Sequence, residues 1–116
     1  MDHKELNVWK KGMNLVEKIY EVSDVFPDSE RFGLTSQIRR AAISVPSNIA
    51  EGAARKSDKE LLQFINIALG SLAEIETQYL IAIRLGLLKK DNALMSLIND
   101  EKQLLLGFRN YIKNKT

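Results

Sequence analysis

The sequence predicts an all-α protein, an up-down-up-down four-helix bundle. Three observations carry this: apolar residues recur at three- and four-residue steps throughout, no stretch alternates as a strand does, and the helical stretches are joined by short polar turns. At 116 residues the chain has the size of a single domain, and it shows no repeat, linker or low-complexity tract.

The first helix is expected from about Leu6 to about Val25, with Leu6, Trp9, Met13, Val16 and Tyr20 as its buried stripe. Phe26-Pro27 ends it, because the residue before a proline is pushed out of the helical region. The second is expected from near Leu34 to about Ala53 on a stripe of Leu34, Ile38, Ala41, Val45 and Ile49. Pro46 lies inside it, but the apolar phase continues through Ile49, so one kinked helix is expected. Ser57-Asp58-Lys59-Glu60 has the form of a capping box and opens the third helix. That helix carries Leu61, Ile65, Ala68, Leu72, Ile75, Tyr79 and Ala82, and Gly86 is its expected left-handed terminator. After Lys89-Lys90-Asp91 the fourth helix carries Leu94, Leu97, Leu104, Phe108 and Tyr111.

Composition narrows the function. With no cysteine there is no disulfide framework, thiolate metal site or cysteine nucleophile, and a reducing cytoplasm is the expected location. The start of the chain is charged rather than apolar, and no apolar run is long enough to span a bilayer. The only histidine is His3, no Glu-x-x-His pair suggests a di-iron site, and the six glycines form no phosphate loop. Glu74 and Glu76 stand two apart and diverge, so neither an enzyme, a metal nor a cofactor is expected. The net charge of +2 is unevenly spread: residues 1–83 hold 10 Lys/Arg against 12 Asp/Glu, and residues 84–116 hold 7 against 3.

Two features suggest contacts beyond the monomer. The third helix is apolar around much of its circumference, with Ile67 and Ile81 outside the core seam and Gly70 among small residues that would admit another backbone. On the second, Ile43, Pro46 and Ala50 form a patch away from the core stripe. These six residues are the expected oligomer interface, unless the third helix is simply central within the monomer. At 100° per residue, Arg40, Ser44, Asn48, Glu51 and Arg55 share one narrow polar face, with Arg39 just off it. Three readings of that face stay open: a solvated surface with a Glu51–Arg55 pair, an arginine site for phosphate oxygens, or Ser44, Asn48 and Glu51 hydrogen-bonding a neighbouring helix or subunit.

The stretch from Leu34 to Gly52, reading LTSQIRRAAISVPSNIAEG, resembles the signature of a bacterial four-helix bundle family associated with intervening sequences of large-subunit ribosomal RNA genes. Ile67 to Gln78, Trp9 and Phe26-Pro27 agree with it. The resemblance implies a non-catalytic homo-oligomer, a pentameric ring, similar to retroelement accessory proteins that bind nucleic acid and a reverse transcriptase. It makes Arg39, Arg40 and Arg55 the expected contacts to structured RNA or DNA, extended by Lys56 and Lys59. Lys10, Lys11, Arg109 and Lys113 are further surface cations without motif support. The competing expectation is a protein-binding adaptor in which the motif arginines are structural.

Overall fold

The structure is a computed structural model describing residues 1–115. It contains α1 (Asn7–Ser23), α2 (Leu34–Ala53), α3 (Asp58–Arg84) and α4 (Asn92–Lys113), with short 3-10 turns at His3–Glu5 and Asp28–Glu30. Each helix packs against its neighbours in sequence, and α4 closes back against α1. The pairing is antiparallel throughout. Gly12 meets Pro46 while Tyr20 meets Arg39, and Lys11 meets Asp100 while Lys18 meets Asp91. The result is an up-down-up-down bundle of 48 × 24 × 20 Å. Among the described residues, no helix is long and apolar enough to cross a membrane.

The local signals explain the helix ends. Ser57 accepts from the Glu60 N–H at 3.2 Å and donates its own hydroxyl to the Glu60 carboxylate at 3.3 Å. Asp91 caps α4 by accepting from the Leu94 N–H at 3.0 Å. At the far end of α3, Gly86 has φ 73°. Its N–H reaches the Ile83 carbonyl at 3.0 Å, and the Leu87 N–H reaches Ala82 at 2.9 Å. Those two bonds satisfy carbonyls that the helix end would otherwise leave unpaired. Tyr79, fully buried on α3, accepts from the Asp91 N–H at 2.7 Å and so ties the α3–α4 turn to the core.

The expected stripes of α2 and α3 are the buried ones, without exception. Those of α1 and α4, apart from Leu94, are not. On α1 the residues in the core are Val8, Gly12, Leu15, Ile19 and Val22; Met13 and Tyr20 are exposed, and Leu6, Trp9 and Val16 are half-buried. On α4 the inward residues are Leu94, Ile98, Glu101, Leu105 and Ile112, with Leu97, Leu104 and Phe108 half-buried and Tyr111 exposed. The cause is the same in both helices. The core positions include a glycine on α1 and a glutamate on α4, so counting apolar residues alone moves the stripe to a flanking face.

Gly12 and Pro46 also explain how α2 crosses α1. A Cβ at Gly12 would stand 3.5 Å from the Pro46 Cβ and 3.6 Å from its Cδ. The missing side chain lets the ring settle on the α1 backbone, and α2 continues through the proline as a single helix. Gly52, near the C-terminus of α2, gives the same close approach to α3, where a Cβ would meet that of Phe64 at 2.9 Å.

Candidate nucleic-acid interface and the polar face of α2

Arg39 is the clearest departure from expectation. Its Nε donates to the Ser23 hydroxyl at 2.8 Å, and its Nη2 donates to Asp24 at 2.9 Å and to the Tyr20 carbonyl at 3.4 Å. The guanidinium lies over the Tyr20 ring, 4.5 Å from its centre. This cation therefore sits at the C-terminus of α1, where helix carbonyls favour positive charge. Arg39 is a tether between α1 and α2, with its Nε and Nη2 engaged inside the chain. The sequence could not show this, because nothing in the spacing tells that Ser23 and Arg39 meet.

The polar face of α2 divides among the three readings. Ser44 and Ser71 join their hydroxyls at 2.8 Å across the α2–α3 contact. Asn48 donates to both the carbonyl and the hydroxyl of Ser44, each at 2.8 Å. Ser44 thus bonds a neighbouring helix, whereas Asn48 bonds back within α2 and braces Ser44. Glu51 and Arg55 form an exposed pair at 3.6 Å, worth little in water. Arg55 also stacks over Phe64 at 4.9 Å, so its planar group is held at the surface rather than waving free. Arg40 is exposed and forms one wall of a polar cleft of about 470 Å³ between α2 and α3.

The motif cations do not form one patch. Arg40 lies within α2, whereas Arg55 lies beyond its end at Ala53, so the two do not share one helix face. Arg55, Lys56 and Lys59 instead gather at the α2–α3 turn. The same end of the bundle holds the N-terminal ammonium, which reaches the Ala53 carbonyl at 3.4 Å, and Lys115, which pairs with Asp58 at 3.8 Å. Lys113 lies in the last turn of α4 beside it. Lys56 and Lys59 are exposed, and neither has an ion-pair partner among the described residues.

The other surface cations lie elsewhere. Lys10 and Lys11 flank a hollow between α1 and α4 that also holds Asp100, 4.0 Å from Lys11. Arg109 is half-buried in a separate hollow between α3 and α4, its Nε without a hydrogen-bond partner.

Of the expected interface residues, Ile43, Ile67 and Ile81 are 43%, 50% and 41% exposed, large fractions for isoleucine. Gly70 faces open space and Ala50 is half-buried. Ile67, Gly70 and Ile81 fall within about 60° of arc on the side of α3 away from the core. Pro46 is largely buried against Gly12 in the α1–α2 contact, and it also lines an apolar groove there with Ile43 and Ala50. Sequence reasoning missed Trp9, Met13 and Val16, which join Ile43 and Ala50 along an apolar groove of about 290 Å³ between α1 and α2. It had assigned all three to the core.

One titratable group was also missed. Glu101 is fully buried, neither carboxylate oxygen has a hydrogen-bond partner, and burial pushes its pKa up to about 8 against a smaller opposing pull from Lys11. Among the described residues, no three His, Cys, Asp or Glu side chains come together as a metal site.

No curated protein matches the chain. A family model does, over residues 4–107, which takes in all of α1, α2 and α3 and most of α4. The bundle, the long α2 block and this match agree, and the chain belongs to the 23S rRNA-intervening sequence protein family.

Proposed function

We propose that the protein is a non-catalytic, self-associating bundle of the cytoplasm that binds structured RNA or DNA through phosphates, using the end of the bundle around the α2–α3 turn. The observation that carries this reading is the gathering of Arg55, Lys56 and Lys59 beside Lys113 and Lys115, with Lys56 and Lys59 lacking acidic partners among the described residues. Cations that are not neutralised within the protein release counterions from a nucleic acid when they bind it, and that release drives binding without reading sequence. Self-association rests on the exposed isoleucines of α2 and α3, and the family resemblance makes a pentameric ring the proposed assembly. A ring would set several copies of the basic end side by side, which offsets the low net charge of one chain.

The test is fluorescence anisotropy of labelled hairpin RNA and duplex DNA across a salt series, with light scattering on the same samples. Binding should fall steeply between 50 and 200 mM salt, about tenfold or more for a few phosphate contacts, and should differ little between sequences. Affinity that is flat across that range contradicts the reading.

A second reading has its own support. The groove of Trp9, Met13, Val16 and Ile43 is apolar enough to take a helix of another protein, which would make the chain an adaptor. A reverse transcriptase is the partner that the resemblance to retroelement accessory proteins suggests.

A further inference from the structure

Glu101 stands where three helices cross, and nothing at the crossing satisfies it. It is fully buried on α4. A Cβ added to Gly12 on α1 would meet its Oε2 at 2.8 Å and the Pro46 ring of α2 at 3.5 and 3.6 Å, so the three groups converge on one point. The Gly12 N–H belongs to the α1 ladder, and Pro46 has no N–H to give. Among the described residues neither carboxyl oxygen of Glu101 has a hydrogen-bond partner.

The charges near this point stand on one side of it. α1 brings Lys10 and Lys11, the residues before Gly12, and α4 brings Asp100, 4.0 Å from the Lys11 ammonium. Lys102, the next residue on α4, turns instead to the hollow between α3 and α4. The charged residues of α2, Arg39, Arg40 and Glu51, are at least five positions from Pro46, and α3 carries no charge from Leu61 to Ala73. Lys11 is the charge that acts on Glu101.

Beside the crossing lies the open hollow of about 500 Å³ between α1 and α4, lined by Lys10, Lys11, Asn14, Asp100 and Gln103 among others. These are near neighbours of Gly12 and Glu101 along their own helices. Burial holds the Glu101 carboxyl protonated, raising its pKa to about 8. Once ionised, it either stays as a buried charge without a donor, which is costly, or leaves. The hollow offers it water, the Asn14 and Gln103 amides and the Lys11 ammonium, all within one helix turn of Gly12 or Glu101 in sequence.

We propose that Glu101 is a proton-operated latch between α1 and α4. Protonated, it lies over Gly12 and Pro46 and closes the bundle. Ionised, its carboxylate swings into the α1–α4 hollow to pair with Lys11, and α4 loosens from α1. The latch needs no ligand, so it stands or falls apart from nucleic-acid binding.

Two measurements on the whole protein test it. The chain has six glycines, so glycine-selective nitrogen-15 labelling gives six amide signals. The Gly12 signal should titrate with a midpoint of about 8, while those of Gly70 and Gly107, with open space around them, stay still. In Glu101→Gln the Gly12 signal should be independent of pH. In Lys11→Met the midpoint should rise by about 1 pH unit, because the ionised form has lost its partner. The second measurement reads opening. The chain has no cysteine, so Leu105→Cys puts a single thiol on α4, at a fully buried position one turn beyond Glu101. At pH 9 that thiol should be labelled about tenfold faster than in the same variant carrying Glu101→Gln, and at pH 6 the two should react alike. A Gly12 signal that does not move between pH 6 and 9 overturns the latch, as does a midpoint unchanged in Lys11→Met. Titration of Gly12 without faster labelling overturns it too, since Glu101 would then ionise in place.

Discussion

The carboxylate of Glu101 on α4 lies against the α-carbon of Gly12 on α1, so close that a Cβ on Gly12 would stand 2.8 Å from Oε2. Glu101 is fully buried, and the nearest charge acting on it is that of Lys11. An acid in that position is held neutral, because ionising it without a hydrogen-bond donor in an apolar surround is costly.

This gives stability a pH dependence with a definite sign. The Glu101 pKa is raised from the ordinary 4.5 to about 8 in the folded chain. Its contribution is therefore complete below the unfolded value and is lost progressively as pH rises toward about 8. Glu101→Gln, neutral and of the same shape, should stabilise the protein by at least about 1 kcal/mol at pH 8 and by much less at pH 4.5. Urea denaturation of both proteins from pH 4.5 to 9 measures this, and a pH-independent difference would contradict it.

Gly12→Ala sets two effects against each other. Glycine to alanine inside a helix ordinarily gains about 0.5–1 kcal/mol. Here the methyl group would displace the buried Glu101 carboxyl, and overpacking in a core costs about 1–3 kcal/mol. The substitution should therefore destabilise. Combined with Glu101→Ala it should cost less than the two changes summed, and a denaturation cycle with no coupling would contradict the contact.

The same pair shows where the sequence was readable and where it was not. On α2 and α3 the core stripe is carried by apolar residues, such as Ile38, Val45, Ile65 and Tyr79, so periodicity alone finds the buried face. On α1 and α4 the packing depends on Gly12 and Glu101, whose fitness for the core lies in each other and not in their own polarity. The capping residues Ser57 and Asp91 and the terminator Gly86 act within a few residues, so the α3 cap and terminator were legible; the Asp91 cap follows the same local rule. The polar face of α2 was undecidable because Ser23 and Ser71, which take up Arg39 and Ser44, come from other helices.

Arg39→Ala removes the bonds to Ser23, Asp24 and Tyr20 together. The Asp24 side chain is largely exposed, so that ion pair contributes little, and the loss falls on the part-buried bond to Ser23 and the stacking on Tyr20. The variant should be about 1–2 kcal/mol less stable in urea denaturation. Its affinity for RNA at a temperature where it stays folded should match that of the parent.

Ile67→Glu places a charge on the exposed face of α3, half open to solvent in the single chain. The isolated bundle should keep its helical circular dichroism, while light scattering should report loss of the oligomer. An oligomer of undiminished mass would move the interface to the α1–α2 groove.

The most direct measurement compares the RNA affinity of the parent with that of Lys56→Glu/Lys59→Glu and of Arg40→Glu at 50 mM and 200 mM salt, with oligomer mass followed throughout. The account predicts that the double variant loses about tenfold or more at low salt and shows a shallower salt dependence, with mass unchanged and Arg40→Glu close to the parent on duplex RNA. Full affinity in the double variant, or equal losses in both, would contradict it.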